Sequence, residues 1–155
     1  MKTAVIGIGS NSVRMLLAEI GGGEIHRLAS EREGKRLIAG LDERGNLSEQ
    51  SMNTTAEAVA RMAENARRAG VGDLHIFATS ASRDARNGQD FINRIRERVG
   101  CDLEIISGEA EAELSFLGAS VVAKGDGPRG VIDIGGGSTE IVTGDRERIH
   151  SAISC

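Results

Sequence analysis

The chain has 155 residues, enough for one ordinary domain or for one domain and part of a second. Acidic residues outnumber basic ones, 23 to 19, and the formal net charge of −4 argues against a general nucleic-acid or membrane-surface binder. Aromatics are 2% of the residues, with no Trp or Tyr, so base-stacking platforms are nearly excluded, while a hydrophobic content of 39% is enough to build a core.

Three strands open the chain. Thr3–Ile8 is a short apolar run, Gly9-Ser10-Asn11-Ser12 a turn cluster, and Val13–Ile20 a second apolar run carrying Arg14. Gly21-Gly22-Gly23 can supply a tight turn into a third strand, Glu24–Ser30. Glu31–Leu47 is polar and without a sustained period, and reads as a loop. Ser48 is a good N-cap for a helix to about Ala69 that buries Met52, Ala56, Val59, Ala63 and Ala66, with Gly70 placed to end it. Asp73–Ala78 follows as a strand and Thr79–Arg86 as a loop. A second helix, about Gly88 to Val99, buries Phe91, Ile92, Ile95 and Val99 and ends at Gly100. Leu103–Ile106 is a strand, and a third helix from Glu109 to about Ala123 buries Ala112, Phe116 and Leu117 or Ala119.

Lys124–Gly130, with the sole proline at Pro128, is the one stretch that reads as a linker. Beyond it come a strand at Val131–Ile134, a turn at Gly135-Gly136-Gly137, a strand at Ser138–Thr143 and another from Ile149. The order is βββαβαβα, then a restart with two strands. No basic stretch followed by an apolar run opens the chain, and nothing approaches the roughly 18 apolar residues of a membrane span. Cys101 and Cys155 form no metal or redox spacing. The expectation is a cytoplasmic protein that binds no DNA, RNA or membrane.

One internal echo carries chemistry. Ile6-Gly7-Ile8-Gly9-Ser10-Asn11-Ser12 and Ile132-Asp133-Ile134-Gly135-Gly136-Gly137-Ser138-Thr139-Glu140 are both strand, glycine turn, strand. Such a turn lets an anion approach the backbone, where successive N–H groups and Ser or Thr hydroxyls can donate to phosphate oxygens. The plain alternative is a tight hairpin and nothing more; the second copy exceeds what a hairpin needs. Neither copy is a Walker A loop or a Rossmann fingerprint.

With the segments Gly9–Arg14, Ala78–Ala85, Ile106–Ala112 and Val131–Glu140 in this order, the chain resembles the exopolyphosphatase/guanosine-pentaphosphate phosphohydrolase family. The resemblance implies an α/β fold: a ribonuclease-H-like, actin-like ATPase lobe with a mixed five-stranded sheet and flanking helices over residues 1–124, a linker at 125–130, and the first β-hairpins of a second lobe at 131–155. It implies a phosphoanhydride hydrolase that releases orthophosphate from inorganic polyphosphate or guanosine pentaphosphate in a cleft between two lobes. Glu111 falls on the family's catalytic glutamate. Gly9, Ser10, Asn11, Ser12, Arg83, Gly135, Gly136, Gly137 and Ser138 fall on phosphate-binding positions, and Asp133 and Glu140 on acidic positions suited to Mg²⁺. A homodimer is left open.

Two departures count against full activity. The family has an aspartate where this chain has Gly7, and its second lobe normally runs well past the Gly135–Ser138 turn. A catalytically silent polyphosphate- or alarmone-binding module is therefore the competing reading; a sugar kinase or Hsp70-like ATPase fragment is disfavoured by Ser107–Ala112. His26, His75 and His150 lack ligand spacing, Cys101 reads as a buried thiol, and Arg94, Arg96 and Arg98 read as a solvated helix face.

Overall fold

A computed structural model of the protein describes every residue except Lys124 and Asp126. The chain divides into two compact units, Met1–Ile105 and Ile106–Cys155.

The first unit is built on a five-stranded sheet in the order β3-β2-β1-β4-β5. Its strands are β1 (Lys2–Ile8), β2 (Ser12–Gly21), β3 (Glu24–Gly34), β4 (Asp73–Ala78) and β5 (Glu104–Ile105). β1, β2 and β3 pair antiparallel and β4 and β5 pair parallel, so the sheet is mixed, as the order of elements implied. Gly22 and Gly23 both take positive φ (61° and 81°), the left-handed backbone that a tight hairpin between β2 and β3 demands. Ala4, Ile6 and Ile8 of β1 lie in register with Leu17, Met15 and Val13 of β2, and Ile6 and Ile8 with Ile76 and Ala78 of β4; all are buried on one face. α1 (Glu49–Arg68) covers that face and packs against α3 (Gly88–Val99). Ser48 caps α1, its Oγ accepting the Ser51 N–H at 3.2 Å, and Gly100 ends α3 at φ 68°. The predicted apolar stripes of both helices are buried as read.

Three local expectations need correction. β3 runs four residues further, to Gly34, because Arg61 of α1 bonds Glu33 (2.8 Å) and Asn65 of α1 bonds Glu31 (3.0 Å), holding a polar strand in place. Leu37–Gly40 forms a 3₁₀ turn within the expected loop. The Thr79–Arg86 loop holds a short helix, α2 (Ser80–Asp84), whose first turn is fixed by the Arg83 N–H donating to Thr79 O.

The second unit contains α4 (Gly108–Val122) and a three-stranded antiparallel sheet, β6 (Arg129–Ile134), β7 (Thr139–Gly144) and β8 (Ile149–Ser154). α4 packs on these strands: Ala112 and Phe116 are buried against Val142, with Val131, Ile149 and Ala152 around them. Leu117 is exposed, one step off this narrow stripe. The expected linker at 125–130 falls partly on Asp126, outside the described residues, and its last two positions, Arg129 and Gly130, are strand. The sheet face away from α4 carries Ile132, Ile134, Ile141 and Ile153, all exposed. Among the described residues, no helix is long and apolar enough to cross a membrane.

Candidate active site

The first glycine turn joins β1 to β2. The Gly9 N–H donates to Ser12 O at 3.0 Å, and the second turn repeats this bond from the Gly135 N–H to Ser138 O at 2.9 Å. Neither glycine has positive φ; what each supplies is space. A Cβ on Gly9 would stand 3.4 Å from Ser12 O, and one on Gly135 only 3.0 Å from Ser138 O. The sequence echo is thus a structural repeat at the level of a single hydrogen bond. At the turn tips, the N–H groups of Ser10, Asn11, Gly136 and Gly137 find no backbone carbonyl among the described residues. Paired, unengaged N–H groups of this kind are the raw material of an anion site.

The first turn is firmly held. Ser10 and Ser80 share a buried hydrogen bond, Oγ to Oγ at 2.7 Å, which ties the turn to α2. Asn11 O accepts the N–H groups of both Lys35 and Arg36, and Ser10 O accepts that of Ile38. Arg36, at φ 48°, is the one non-glycine residue at positive φ among those described. Ser12 is buried at the start of β2. Arg83 lies in α2 rather than in a loop, its Nε 3.6 Å from Asp84 Oδ1. Thr79, immediately before α2, donates its N–H to Ile8 O at the end of β1, so the arginine-bearing helix and the turn grow from the same strand ends. Arg14 and Arg32 stand opposite each other on β2 and β3, on the face of Gly7.

Gly7 has a physical partner. It lies in register with Phe77 of β4, and a Cβ built on it would meet Phe77 Cζ at 3.0 Å and Cε2 at 3.3 Å. An aromatic ring lies over the position where the family resemblance implies a carboxylate.

In the second unit, two rows of side chains cross the sheet beneath α4. Val131, Val142 and Ala152 form the apolar row under Ala112 and Phe116. The neighbouring row is polar: Asp133, Glu140 and Ser154, in register on β6, β7 and β8. Glu140 is 1% exposed, and its Oε1 accepts the Ser154 hydroxyl at 2.8 Å. Asp133 Oδ2 accepts the hydroxyl of Ser115, from α4, at 2.6 Å. Glu111 stands one helical turn before Ser115, so it shares the helix face that meets this row. Ser107 caps α4 by accepting the Ala110 N–H at 3.1 Å, and Glu111 lies in the first turn, where the helix dipole favours an anion.

Two carboxylates directly opposite one another repel, and one is buried; a divalent cation would offset both costs. Mg²⁺ commonly takes one or two carboxylates and completes its shell with water and phosphate oxygens, so the pair fits such an ion. Among the described residues there is no group of three or more His, Cys, Asp or Glu that could hold a metal. The histidines are engaged elsewhere: His26 with Glu24 (3.3 Å), His75 with Asp73 (2.9 Å) and His150 with Asp145 (2.9 Å). Burial pushes the half-buried Cys101 thiol up from its usual range. Of the arginines of α3, read as solvated, Arg96 and Arg98 are exposed and Arg94 is half-buried, and each also binds a neighbour: Arg94 and Arg98 both donate to Asn53 Oδ1 (2.9 and 3.1 Å) and Arg96 to Leu103 O (3.3 Å).

The sequence singles out Glu111, Asp133, Glu140 and both turns as candidates, but not Ser80, Ser115 and Ser154, which bond to them, nor Phe77, which faces Gly7. Only Ser115 left a signal, its helical spacing of four from Glu111.

Comparison with known proteins bears on the whole chain. An Aquifex aeolicus PPX-GPPA enzyme is 32% identical, with a TM-score of 0.89 over 99% of this chain and 52% of its own. An exopolyphosphatase from Cytophaga hutchinsonii is 30% identical, with a TM-score of 0.94 over 100% of this chain and 50% of its own. The chain thus spans about half the length of these solved proteins. The ethanolamine utilization protein EutJ from Carboxydothermus hydrogenoformans, at 14% identity and a TM-score of 0.54, shares the fold alone. The model of the Ppx/GppA phosphatase family matches residues 16–155. By that match and these likenesses, the chain belongs to the Ppx/GppA phosphatase family.

Proposed function

We propose that this chain carries phosphate-binding and base-bearing parts of a phosphoanhydride hydrolase that releases orthophosphate from the end of inorganic polyphosphate or from guanosine pentaphosphate. The observation that carries the reading is the alignment of Glu111, on α4, with the Asp133–Glu140 row that borders the Gly135–Ser138 turn. Phosphoryl transfer asks for positioning and charge stabilisation more than covalent chemistry. The tip N–H groups of each turn donate to phosphate oxygens, and Arg83 adds a planar donor fork. Asp133 and Glu140 would hold Mg²⁺, which would supply positive charge to neutralise the phosphate oxygens. Glu111 takes the proton from the attacking water.

A general base contributes on the order of 10²–10⁴-fold. Glu111→Gln should therefore lower orthophosphate release by roughly that factor with an unchanged circular dichroism spectrum; a variant with wild-type turnover would remove Glu111 from the mechanism. The competing reading, a silent binding module, draws on the Phe77 ring over Gly7. Retained polyphosphate binding with no release of orthophosphate would favour it.

A further inference from the structure

We propose that Ser115 is a positioning residue that restricts Asp133 to ligation through one oxygen, and so makes the carboxylate pair favour Mg²⁺ over Ca²⁺. The inference rests on the reading of Asp133 and Glu140 as cation ligands. Each of these carboxylates has one oxygen engaged by a serine: Asp133 Oδ2 by Ser115 at 2.6 Å, Glu140 Oε1 by Ser154 at 2.8 Å. Asp133 Oδ1 and Glu140 Oε2 take no hydrogen bond from a described residue. The pair therefore presents two single oxygens rather than two chelating carboxylates.

That difference matters because the two ions want different shells. Mg²⁺ demands near-octahedral geometry and keeps several waters, so two single oxygens suit it. Ca²⁺ takes six to eight oxygens and gains from bidentate carboxylates. An oxygen already bridged by a hydroxyl at 2.6 Å is a poor second arm for chelation. The hydroxyl is also delivered from a fixed element. Ser107 caps α4, and Ala112 and Phe116, which bracket Ser115 in the helix, are buried against the sheet.

The test uses the 155-residue chain and Mn²⁺ as the probe, with free Mn²⁺ followed by electron paramagnetic resonance and displaced by Mg²⁺ or Ca²⁺. In the wild type, Mg²⁺ should be the better competitor. Ser115→Ala frees Oδ2 and should move the Ca²⁺-to-Mg²⁺ ratio about tenfold toward Ca²⁺, whereas Ser115→Thr, which keeps the hydroxyl, should hold the wild-type ratio. A structural role alone would weaken both ions equally. An unchanged ratio in Ser115→Ala, with Mn²⁺ binding still abolished by Asp133→Asn, overturns the role of Ser115 alone. Absent Mn²⁺ binding, or binding that survives Asp133→Asn, overturns the metal reading and the inference with it.

Discussion

Gly7 and Phe77 should behave as a coupled pair. A Cβ on Gly7 would lie 3.0, 3.3 and 3.7 Å from three atoms of the Phe77 ring, closer at the tip than side chains ordinarily pack. Overpacking of this kind costs roughly 1–3 kcal/mol. Against it stands the gain from removing a glycine from a strand, about 0.5–1 kcal/mol. The ring tip can yield by a few tenths of an ångström, so an overpacking cost of about 1.5 kcal/mol applies, in the lower half of the range, and Gly7→Ala should destabilise by about 0.5–1 kcal/mol net. With Phe77→Ala in place the clash is gone, and Gly7→Ala should stabilise by about 0.5–1 kcal/mol. The sign reverses, and the coupling energy is about 1–2 kcal/mol. Urea unfolding of the four proteins, followed by far-ultraviolet circular dichroism with slopes compared, measures it. Equal effects of Gly7→Ala in both backgrounds would refute the claim that the ring holds this space. The same geometry bears on function. Gly7→Asp alone should not supply the family's carboxylate in a usable place; it needs the ring removed as well.

Further outcomes follow from single residues. Ser82 is buried in α2, and its Oγ has no hydrogen-bond partner among the described residues. Ser82→Ala should therefore stabilise the first unit by about 1 kcal/mol, and a lower urea midpoint would show that the hydroxyl is satisfied. Glu33 is held below the usual glutamate value of 4.5, first by its bond to Lys35 and also by Arg61. Since its folded-state pKa is depressed, its contribution is present above the unfolded value and lost as pH falls through the lower one. Glu33→Gln should remove that part of the acid-side loss of stability in a pH series of thermal melts, and an identical acid limb in the variant would contradict the assignment.

Where the sequence was informative, the reason was local. Ser48, Gly100 and the 3.6-residue stripes fix the helix ends and faces within a few residues of the signal. The glycine turns declared themselves because a tight strand-to-strand connection needs its residues in one short run. What was hidden depended on distant partners. The extension of β3 through Glu31 and Glu33 reads as loop because its polar residues are satisfied from Arg61 and Asn65, about thirty residues away. Gly7 reads as a missing carboxylate until Phe77, seventy residues later, is seen to fill its space. The sheet on which α4 packs was not legible because its buried stripe, Ala112 and Phe116, is too short to say which sheet it serves. The serines that hold Glu140 and Ser10 carry no pattern at all, since a lone serine is compatible with nearly any environment.

The two edges of the five-stranded sheet show how the chain guards itself against self-assembly. A sheet border left open is a template on which another strand can add, and long, flat, apolar borders invite fibrils. One border here, β5, is only two residues long and offers almost no template. The other, β3, is eleven residues long but carries His26, Arg27, Glu31, Arg32 and Glu33, and the bulge opposite Leu17/Ala18 breaks its flatness. A docking strand would have to bury those charges and follow that irregularity. The polar stretch that disguised β3 as a loop thus acts as a gatekeeper, discouraging runaway pairing between copies of the chain.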